Sequence, residues 1–176
     1  MHIPDTWTTP RLYLRPPAIA DAPAIFYGYA QDADVTRYLA WKPHTHIAET
    51  KQFLQDCRQA RSQGIRFPFV ICVQDSNNPI GMVEIRRQQG VNLGYVLAKA
   101  YWGNGYVSEV VQVLSDWAIA QDEIHRVWAV CDVENRASAR VLEKAGMTCE
   151  GRLRHWAMLP NVSDRPRDCF MYSKIS

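Results

Sequence analysis

The hydrophobic pattern of this chain changes its period at Gly64, and that change limits the folds it can adopt. Before Gly64, a segment of about 47–63 carries Phe53, Leu54 and Cys57 on one stripe, which predicts a helix. After Gly64, three β-branched or aromatic runs follow at period two: FPFVICV, IGMVEIR and VNLGYVLA. The turn clusters DSNNP and RQQG separate these runs, and this arrangement predicts three strands of an antiparallel meander.

The segments on either side of the meander predict a mixed order of helices and strands. RLYLRP predicts a first strand, and Asp21 is a candidate N-cap for a first helix that has Pro23 near its start. An apolar stripe from Val107 to Ala118 predicts a long helix. The near-continuous apolar run RVWAVCDV predicts a strand that is covered on both faces, and ASARVLEKAG predicts a short helix. Two further strands flank the loop PNVSDRPR. The expected fold class is α/β with an α+β type of mixed sheet, in a single domain over residues 1–176 with its core at about 9–175.

Composition excludes several classes of protein. The 176 residues carry a formal net charge of +2 and their basic residues are dispersed, so the dense positive face of a nucleic-acid-binding protein is not expected. No apolar stretch approaches the roughly 20 residues that cross a bilayer, and the first residues lack the apolar core of a signal peptide. The cysteines form no C-x-x-C pair, which disfavours a metal site and favours free thiols in a reducing compartment. We therefore expect a cytoplasmic protein, a monomer or a homodimer, with no metal and no nucleic-acid or membrane partner.

The segment YWGNGY, residues 101–106, lies between a predicted strand and the long helix. A glycine-bearing turn that opens a helix leaves backbone N–H groups unpaired at the positive end of the helix dipole, which suits a phosphate group. The alternative is that Gly103 and Gly105 only allow a tight strand-to-helix turn. A Walker loop is excluded, because no lysine and hydroxyl residue follow the second glycine.

A Rossmann dinucleotide site is a second phosphate-binding alternative. Gly103, Gly105, Ser108 and the later Asp132 satisfy part of its glycine pattern and its acidic residue. However, a doubly wound sheet needs further strand–helix units, whereas the residues after Asp132 predict mostly strands and those before the loop predict antiparallel hairpins. The Rossmann interpretation is therefore disfavoured.

Several segments, taken in order, resemble the GNAT superfamily of N-acetyltransferases. They are the strand–YWGNGY–helix unit, then ENRASARVLEKAGM, then EGRLR. The opening TPRLYLRP, the segment VTRYLAWKP and the closing RDCFMYSK resemble its branch of ribosomal-protein alanine and serine N-acetyltransferases. The resemblance implies a central, mostly antiparallel sheet with splayed strands around the coenzyme A site. It also implies transfer of an acetyl group from acetyl-CoA, the co-substrate, to a primary amine, such as the N-terminus of a ribosomal protein or another peptide, or a small amine.

The resemblance further implies which residues contact acetyl-CoA. The backbones of Val96 and Leu97, splayed from the neighbouring strand, would pair with the pantetheine arm, and Asn135 would hydrogen-bond it. The pyrophosphate would lie on the backbone N–H groups of the loop, which are those of Trp102, Gly103, Asn104, Gly105 and Tyr106.

The leaving thiolate needs a proton, and here the sequence departs from many members of the superfamily. Those members use a tyrosine seven residues after the asparagine, whereas this chain has Leu142 at that position. Ser138 is the substitute that the resemblance suggests. A purely structural alternative is that Asn135 and Ser138 cap the start of a helix, and both interpretations can hold together.

A base for the attacking amine has two candidates. Glu84 lies in the otherwise apolar run IGMVEIR, and apolar surroundings raise the pKa of a carboxylate towards that of a useful base. The alternative for Glu84 is an ion pair with Arg86 or Arg87 on a solvated strand face. His155 is the second candidate, with a structural or merely exposed histidine as its alternative. A relay through water would make a protein base unnecessary.

The acceptor would lie between two segments. Tyr38 and Trp41 in VTRYLAWKPH are candidates to line one wall of the acceptor site, and the loop 160–167 is expected to form the opposite wall. No cysteine is positioned by a histidine or by the start of a helix to serve as a covalent nucleophile. We therefore expect direct attack of the amine in a ternary complex. The alternative is a catalytically inactive module that binds CoA or acyl-CoA for regulation.

Overall fold

A computed structural model describes residues 2–176 of the chain, and these residues form eight strands and five α-helices. The first helix continues into one π-helical turn, Phe26–Ala30. The strands are β1 (Trp7–Thr8), β2 (Leu12–Arg15), β3 (Arg66–Val73), β4 (Pro79–Arg87), β5 (Val91–Leu97), β6 (Arg126–Asp132), β7 (Thr148–Ala157) and β8 (Arg167–Ile175). The helices are α1 (Ala22–Ile25), α2 (Ala33–Thr36), α3 (Ile47–Ser62), α4 (Tyr106–Ile119) and α5 (Arg136–Lys144).

The strands form one sheet in the order β1-β2-β3-β4-β5-β6-β8-β7. Every neighbouring pair is antiparallel except β5 and β6, which are parallel. The mixed α/β class and the mostly antiparallel sheet are therefore confirmed, as is the antiparallel meander β3-β4-β5. The predicted order of the long helices and strands around the meander is also confirmed.

Helices cover both faces of the sheet and create two separate cores. On one face, the apolar stripe of α4 packs with α5 against residues such as Phe69, Ile85 and Val127. On the other face, α1 and α3 pack against Val70 and Met82. Because side chains alternate along a strand, successive residues of β4 and β5 belong to different cores. We call these two sides the α4 face and the α3 face of the sheet.

The N-terminal third differs in detail from the prediction. The first helix begins after Asp21 as expected, but the Asp21 carboxylate does not cap it. Instead, Asp21 accepts hydrogen bonds from Arg15 at 2.7 and 2.8 Å and from the Ala18 backbone at 2.7 Å, so its charge is compensated elsewhere. Strand β1 and helix α2 were not predicted. The side chain of Asp32 caps α2 by accepting from the backbone of Asp34 at 2.8 Å.

Two further observations concern the helices and the cysteines. No helix within residues 2–176 is both long enough and apolar enough to span a bilayer. Four of the five cysteine thiols are buried, and Cys149 is exposed.

Candidate active site

Strands β5 and β6 are joined at only one end. Their pairing is limited to Val91 opposite Val127 and Asn92 opposite Trp128, whereas β5 stays paired with β4 as far as Leu97. Beyond Asn92 the two strands separate, and a groove of about 1060 Å³ passes through this opening and is lined from both faces of the sheet. The splayed strands that the family resemblance implied are therefore present.

The backbone at this opening corrects one detail of the expectation. The bond from Ala98 N to Ile80 O fixes the alternation of the β4–β5 ladder. Accordingly, the backbone of Val96 points to Met82 on β4, with its carbonyl oxygen 2.4 Å from where a Cβ of Gly81 would lie. The polar backbone groups of Tyr95 and Leu97 point to the opening instead. The family resemblance suggested Val96, and the sequence alone does not say which backbone groups of a strand pair with which neighbouring strand.

The YWGNGY segment connects the end of β5 to α4. Gly103 and Gly105 have φ values of +80° and +75°, which glycine adopts without steric cost. A Cβ at Gly103 would meet no atom within 4 Å, and one at Gly105 would meet only Arg11 Nη2 at 3.7 Å, so the turn borders open space. No side chain caps α4 at Gly105. The tight turn is therefore real, and it leaves the first N–H groups of α4 available to an anion.

Polar side chains hold this loop in shape. The Asn104 amide donates to the carbonyl groups of Tyr101 at 3.1 Å and of Trp102 at 3.2 Å. The Trp102 indole donates to the Leu97 carbonyl at 2.8 Å, which ties the loop to the end of β5. The side chains of Asn104 and Trp102 thus act on the loop backbone, consistent with an anion site that uses N–H groups of the main chain.

Arg11, the residue before β2, supports the same loop, a role that the sequence did not indicate. Its guanidinium donates to the Asn104 carbonyl at 2.9 Å and to Glu109 of α4 at 2.6 Å, and it lies over the Tyr106 ring. Burial alone would raise the pKa of Glu109, but hydrogen bonds from Thr9 and Arg11 outweigh it and lower that pKa. Glu109 is therefore a carboxylate that anchors Arg11 beneath the loop.

Arg11→Ala is expected to weaken acetyl-CoA binding by about tenfold, because one charge-assisted hydrogen bond to the loop is lost together with a nearby positive charge. The measurement is the acetyl-CoA dissociation constant by isothermal titration. Arg126→Ala is the control, since Arg126 also forms a partly exposed ion pair, with Glu150, but donates no hydrogen bond to the loop in the part of the chain that the structure describes. Equal affinities of the two variants would contradict a supporting role for Arg11.

Ser138 lies on α5 at the α4 face of the opening. Its hydroxyl is 2.7 Å from the hydroxyl of Tyr95, a residue of β5 that sequence reasoning did not single out. Burial raises the pKa of Tyr95, although the hydrogen bond with Ser138 acts in the opposite direction. Burial likewise raises the pKa of Cys131, whose thiol also borders the groove, to about 12. The result is a cluster of three protonated groups beside the opening.

Asn135 caps α5. Its Oδ1 accepts a hydrogen bond from the backbone N–H of Ser138 at 3.1 Å, which confirms the capping interpretation. Its amide nitrogen has no partner within residues 2–176 and borders the groove. Leu142, seven residues after Asn135, is fully buried in the core and does not line the groove.

Glu84 lies on the α3 face and lines the groove, but its surroundings are ionic where the sequence suggested apolar ones. It pairs with Arg86, as the alternative interpretation expected, and with Arg66 of β3 at 3.4 Å. Arg66 was missed because it is brought to this site only by its register opposite Arg86. His155 is exposed on an irregular part of β7, where its backbone N–H donates to Asp168 at 2.7 Å, and its side chain does not line the groove.

Aromatic residues line the α3 side of the groove, among them Tyr38 and Trp41. The Trp41 and His44 rings are 5.1 Å apart, and burial lowers the pKa of His44. Asn161, from the loop 160–167, donates to the carbonyl groups of Thr36 at 2.8 Å and Trp41 at 2.7 Å. The two segments that were expected to face each other are therefore hydrogen-bonded together.

The groove brings most of the predicted site residues together. Within residues 2–176, no group of three or more His, Cys, Asp or Glu side chains is arranged to hold a metal ion. Asn104 and His155 are the predicted site residues that do not border the groove. Those that do are Tyr38, Trp41, Glu84, Val96, Leu97, Trp102, Gly103, Gly105, Tyr106, Asn135 and Ser138.

Solved structures of similar fold include three acetyltransferases. A GNAT-family acetyltransferase from Bacillus anthracis superposes with a TM-score of 0.83 and 25% identity, covering 97% of this chain and 98% of that one. The microcin C7 self-immunity acetyltransferase MccE, in complex with acetyl-CoA and AMP, has a TM-score of 0.83 and 22% identity over 95% of this chain and 93% of that one. RimL, a ribosomal alpha-N-protein acetyltransferase in complex with coenzyme A, has a TM-score of 0.81 and 24% identity over 95% of both chains. At these identities, the similarity to MccE and RimL shows a common fold alone.

Sequence comparison identifies the family. The chain is 29% identical to the uncharacterised N-acetyltransferase p20 of Bacillus licheniformis, over 97% of this chain and 96% of the relative. It is 30% identical to the uncharacterised N-acetyltransferase YoaA of Bacillus subtilis, over 95% and 94%. It is 26% identical to the ribosomal-protein-serine acetyltransferase of Escherichia coli, over 72% and 70%. Residues 11–148 match the model of the acetyltransferase (GNAT) domain, and the chain therefore belongs to the GNAT family of N-acetyltransferases.

Proposed function

We propose that this protein transfers the acetyl group of acetyl-CoA to a primary amine by direct attack within a ternary complex. The observation that carries the proposal is the continuous groove through the β5–β6 opening, with an anion-binding turn on one side and an aromatic, charged pocket on the other. Solved neighbours that contain acetyl-CoA or coenzyme A support the choice of co-substrate. A reducing compartment such as the cytoplasm is proposed as its location, because four of the cysteine thiols are buried.

The residues of this chain fit acetyl-CoA. We assign the pyrophosphate to the backbone N–H groups of residues 102–106, where two glycines leave open space at the start of α4. Open backbone groups of Tyr95 and Leu97 are suited to the amides of the pantetheine arm, although the Leu97 carbonyl also accepts from Trp102. The Asn135 amide nitrogen is suited to one further contact with that arm.

The site has candidate groups for both proton transfers that direct attack requires, one from the amine and one to the thiolate. Ser138, hydrogen-bonded to Tyr95, is the proposed donor of a proton to the leaving thiolate. Glu84, or water held near it, is the proposed acceptor of the amine proton, and His155 is a weaker candidate because it lies outside the groove. A covalent cysteine intermediate is disfavoured, because burial raises the pKa of both thiols that line the groove, that of Cys131 to about 12 and that of Cys169 to about 11.

The acceptor class extends from protein N-termini to small amines. The similarity to RimL and to the ribosomal-protein-serine acetyltransferase of Escherichia coli supports a ribosomal-protein N-terminus as one candidate. The two aromatic residues Tyr38 and Trp41 are proposed to contact the acceptor.

The test has two parts. Purified protein is expected to bind acetyl-CoA at submillimolar concentration by isothermal titration, and to release free thiol when a panel of primary amines is added. Binding without release of thiol for any amine would favour the alternative of an inactive acyl-CoA-binding module. Absence of binding would contradict the proposal as a whole.

A further inference from the structure

Two arginines and one glutamate form a cluster on the α3 side of the groove. Arg66 and Arg86 stand opposite each other on β3 and β4, and their side chains lie on either side of Glu84. The side chains of the two arginines are 35% and 39% exposed, whereas that of Glu84 is 12% exposed. The guanidinium groups thus border the groove while the carboxylate lies deeper.

The cluster leaves positive charge uncompensated at this side of the groove. Asp34 pairs with Lys99, and Asp132 pairs with Arg167 at 2.8 Å, so these two carboxylates are already neutralised. The guanidinium of Arg37 also lines this side, over the ring of Tyr38. Among the described groove residues, the guanidinium groups of Arg66, Arg86 and Arg37 therefore share one carboxylate, that of Glu84, which favours an anionic ligand and disfavours a polyamine.

Arg86 is positioned next to the reaction centre. Its Nη1 donates to Asn92 Oδ1 at 2.9 Å, which aligns the guanidinium along β5. A Cβ at Gly94 would lie 3.0 Å from Arg86 Nη2, so the guanidinium rests directly on the backbone of Gly94. Gly94 lies just beyond the last paired residue of β5 and β6, where the opening begins. The charge is therefore next to the opening through which the thioester would be presented.

Arg66 and Arg86 each keep N–H donors that are available to a ligand. A guanidinium carries five N–H donors in a planar fork. Arg86 uses its Nε towards Glu84 and its Nη1 towards Asn92, and Arg66 uses its Nη1 towards Glu84. The Nη2 groups of both arginines have no partner in the part of the chain that the structure describes. Two such groups at one side of a groove suit the paired oxygens of a carboxylate.

We propose that the acceptor is a small amine that carries a carboxylate, of the class of free α-amino acids, and that Arg66 and Arg86 bind this carboxylate. The proposal rests on the acetyltransferase function proposed above. The carboxylate on the arginines would direct the amine towards the opening. There the amine nitrogen forms a bond to the acetyl carbon, the carbon–sulfur bond breaks, and the proton lost by the amine balances the one gained by the thiolate. The products are an N-acetyl amino acid and free coenzyme A.

The test compares free α-amino acids of differing side chain with their α-amides, using the wild-type protein and acetyl-CoA. The amide has the less basic amine, so more of it is unprotonated at neutral pH, and it would react faster if no carboxylate site existed. We expect kcat/KM for the best amino acid to exceed that for its amide by about tenfold or more. Comparable turnover of the amides, of spermidine or of an N-terminal peptide amide would overturn the proposal while leaving the acetyltransferase function intact.

Two variants locate the site. Arg86→Gln and Arg66→Gln are each expected to raise KM for the amino acid by about tenfold while leaving the acetyl-CoA dissociation constant unchanged. Arg58→Gln is the matched control, since Arg58 is exposed on α3 and does not line the groove. A preference for acid over amide that survives both substitutions would overturn the assignment to these arginines.

Two further outcomes separate the chemistry of the ligand from the function itself. If 2-aminoethyl phosphate is acetylated in preference to β-alanine, the anion is a phosphate and the carboxylate assignment is wrong. If no amine of any kind is acetylated by protein that binds acetyl-CoA, the proposed function fails and the acceptor proposal fails with it.

Discussion

Gly105→Val is expected to weaken acetyl-CoA binding by about 100-fold or more, because several charge-assisted hydrogen bonds to the pyrophosphate depend on this turn. Gly105 has a φ of +75°, a conformation that a β-branched residue rarely adopts. The new side chain would also enter the open space beside the first N–H groups of α4, where we assign the phosphates. Isothermal titration with acetyl-CoA measures the effect.

Gly64→Val is the matched control for backbone strain. Gly64 ends α3 with a φ of +68°, a Cβ there would meet no atom within 4 Å, and the residue does not line the groove. Both variants should lose about 1–2 kcal/mol of unfolding free energy from the strained φ, but only Gly105→Val should lose affinity. If the two variants bind acetyl-CoA equally well, the pyrophosphate does not lie on this turn.

The long elements could be predicted from the sequence because each one repeats its hydrophobic pattern several times. Helix α4 places five apolar residues on one buried stripe, and apolar residues alternate between the two faces along the three strands of the meander. In patterns of this length, one polar residue at an apolar position does not obscure the period. Strand β1 has two residues and helix α2 has four, fewer than are needed to reveal a period. The π-helical turn Phe26–Ala30 has no sequence signature distinct from that of an α-helix.

The parts of the candidate site that depend on a short local stretch of sequence could be predicted. The parts that depend on which strand residues are paired could not. The YWGNGY loop and the α5 cap around Asn135 are local, and the sequence located both. Tyr95 could not be identified, because only the divergence of β5 from β6 brings its hydroxyl to Ser138. Arg66 reaches Glu84 through the pairing of β3 with β4, and the turn cluster DSNNP alone does not fix that pairing.

Net charge was also a poor guide to the acceptor. A total of +2 over the whole chain does not favour any class of amine. The distribution of ion pairs supports the carboxylate-bearing amine proposed above, because Lys99 and Arg167 pair with Asp34 and Asp132 and leave Glu84 among arginines. Local charge at a site is set by which side chains are already paired, and pairing is a property of the fold.

Ser138→Ala is expected to lower kcat by about 100-fold, which is the lower end of the contribution of a positioned general acid. The acetyl-CoA dissociation constant is expected to stay within about twofold of the wild-type value. The cap of α5 should survive, because Asn135 accepts from the backbone N–H of Ser138 and not from its hydroxyl. Loss of activity would therefore reflect the missing hydroxyl and not a frayed helix. Steady-state kinetics and thermal melting of the same preparations measure both quantities.

Two further variants decide how the proton reaches the thiolate. Tyr95→Phe keeps the buried ring but removes the partner of Ser138, and a fall in kcat of about tenfold is expected because the serine hydroxyl loses its orienting hydrogen bond. Ser115→Ala is the control, since this buried serine of α4 bonds only the Gln112 carbonyl and does not line the groove. If Ser138→Ala, Tyr95→Phe and Ser115→Ala all retain the same kcat, water protonates the thiolate. If Tyr95→Phe alone abolishes turnover, the proton comes from the tyrosine, because Ser138 would still be present in that variant and would still fail to supply it.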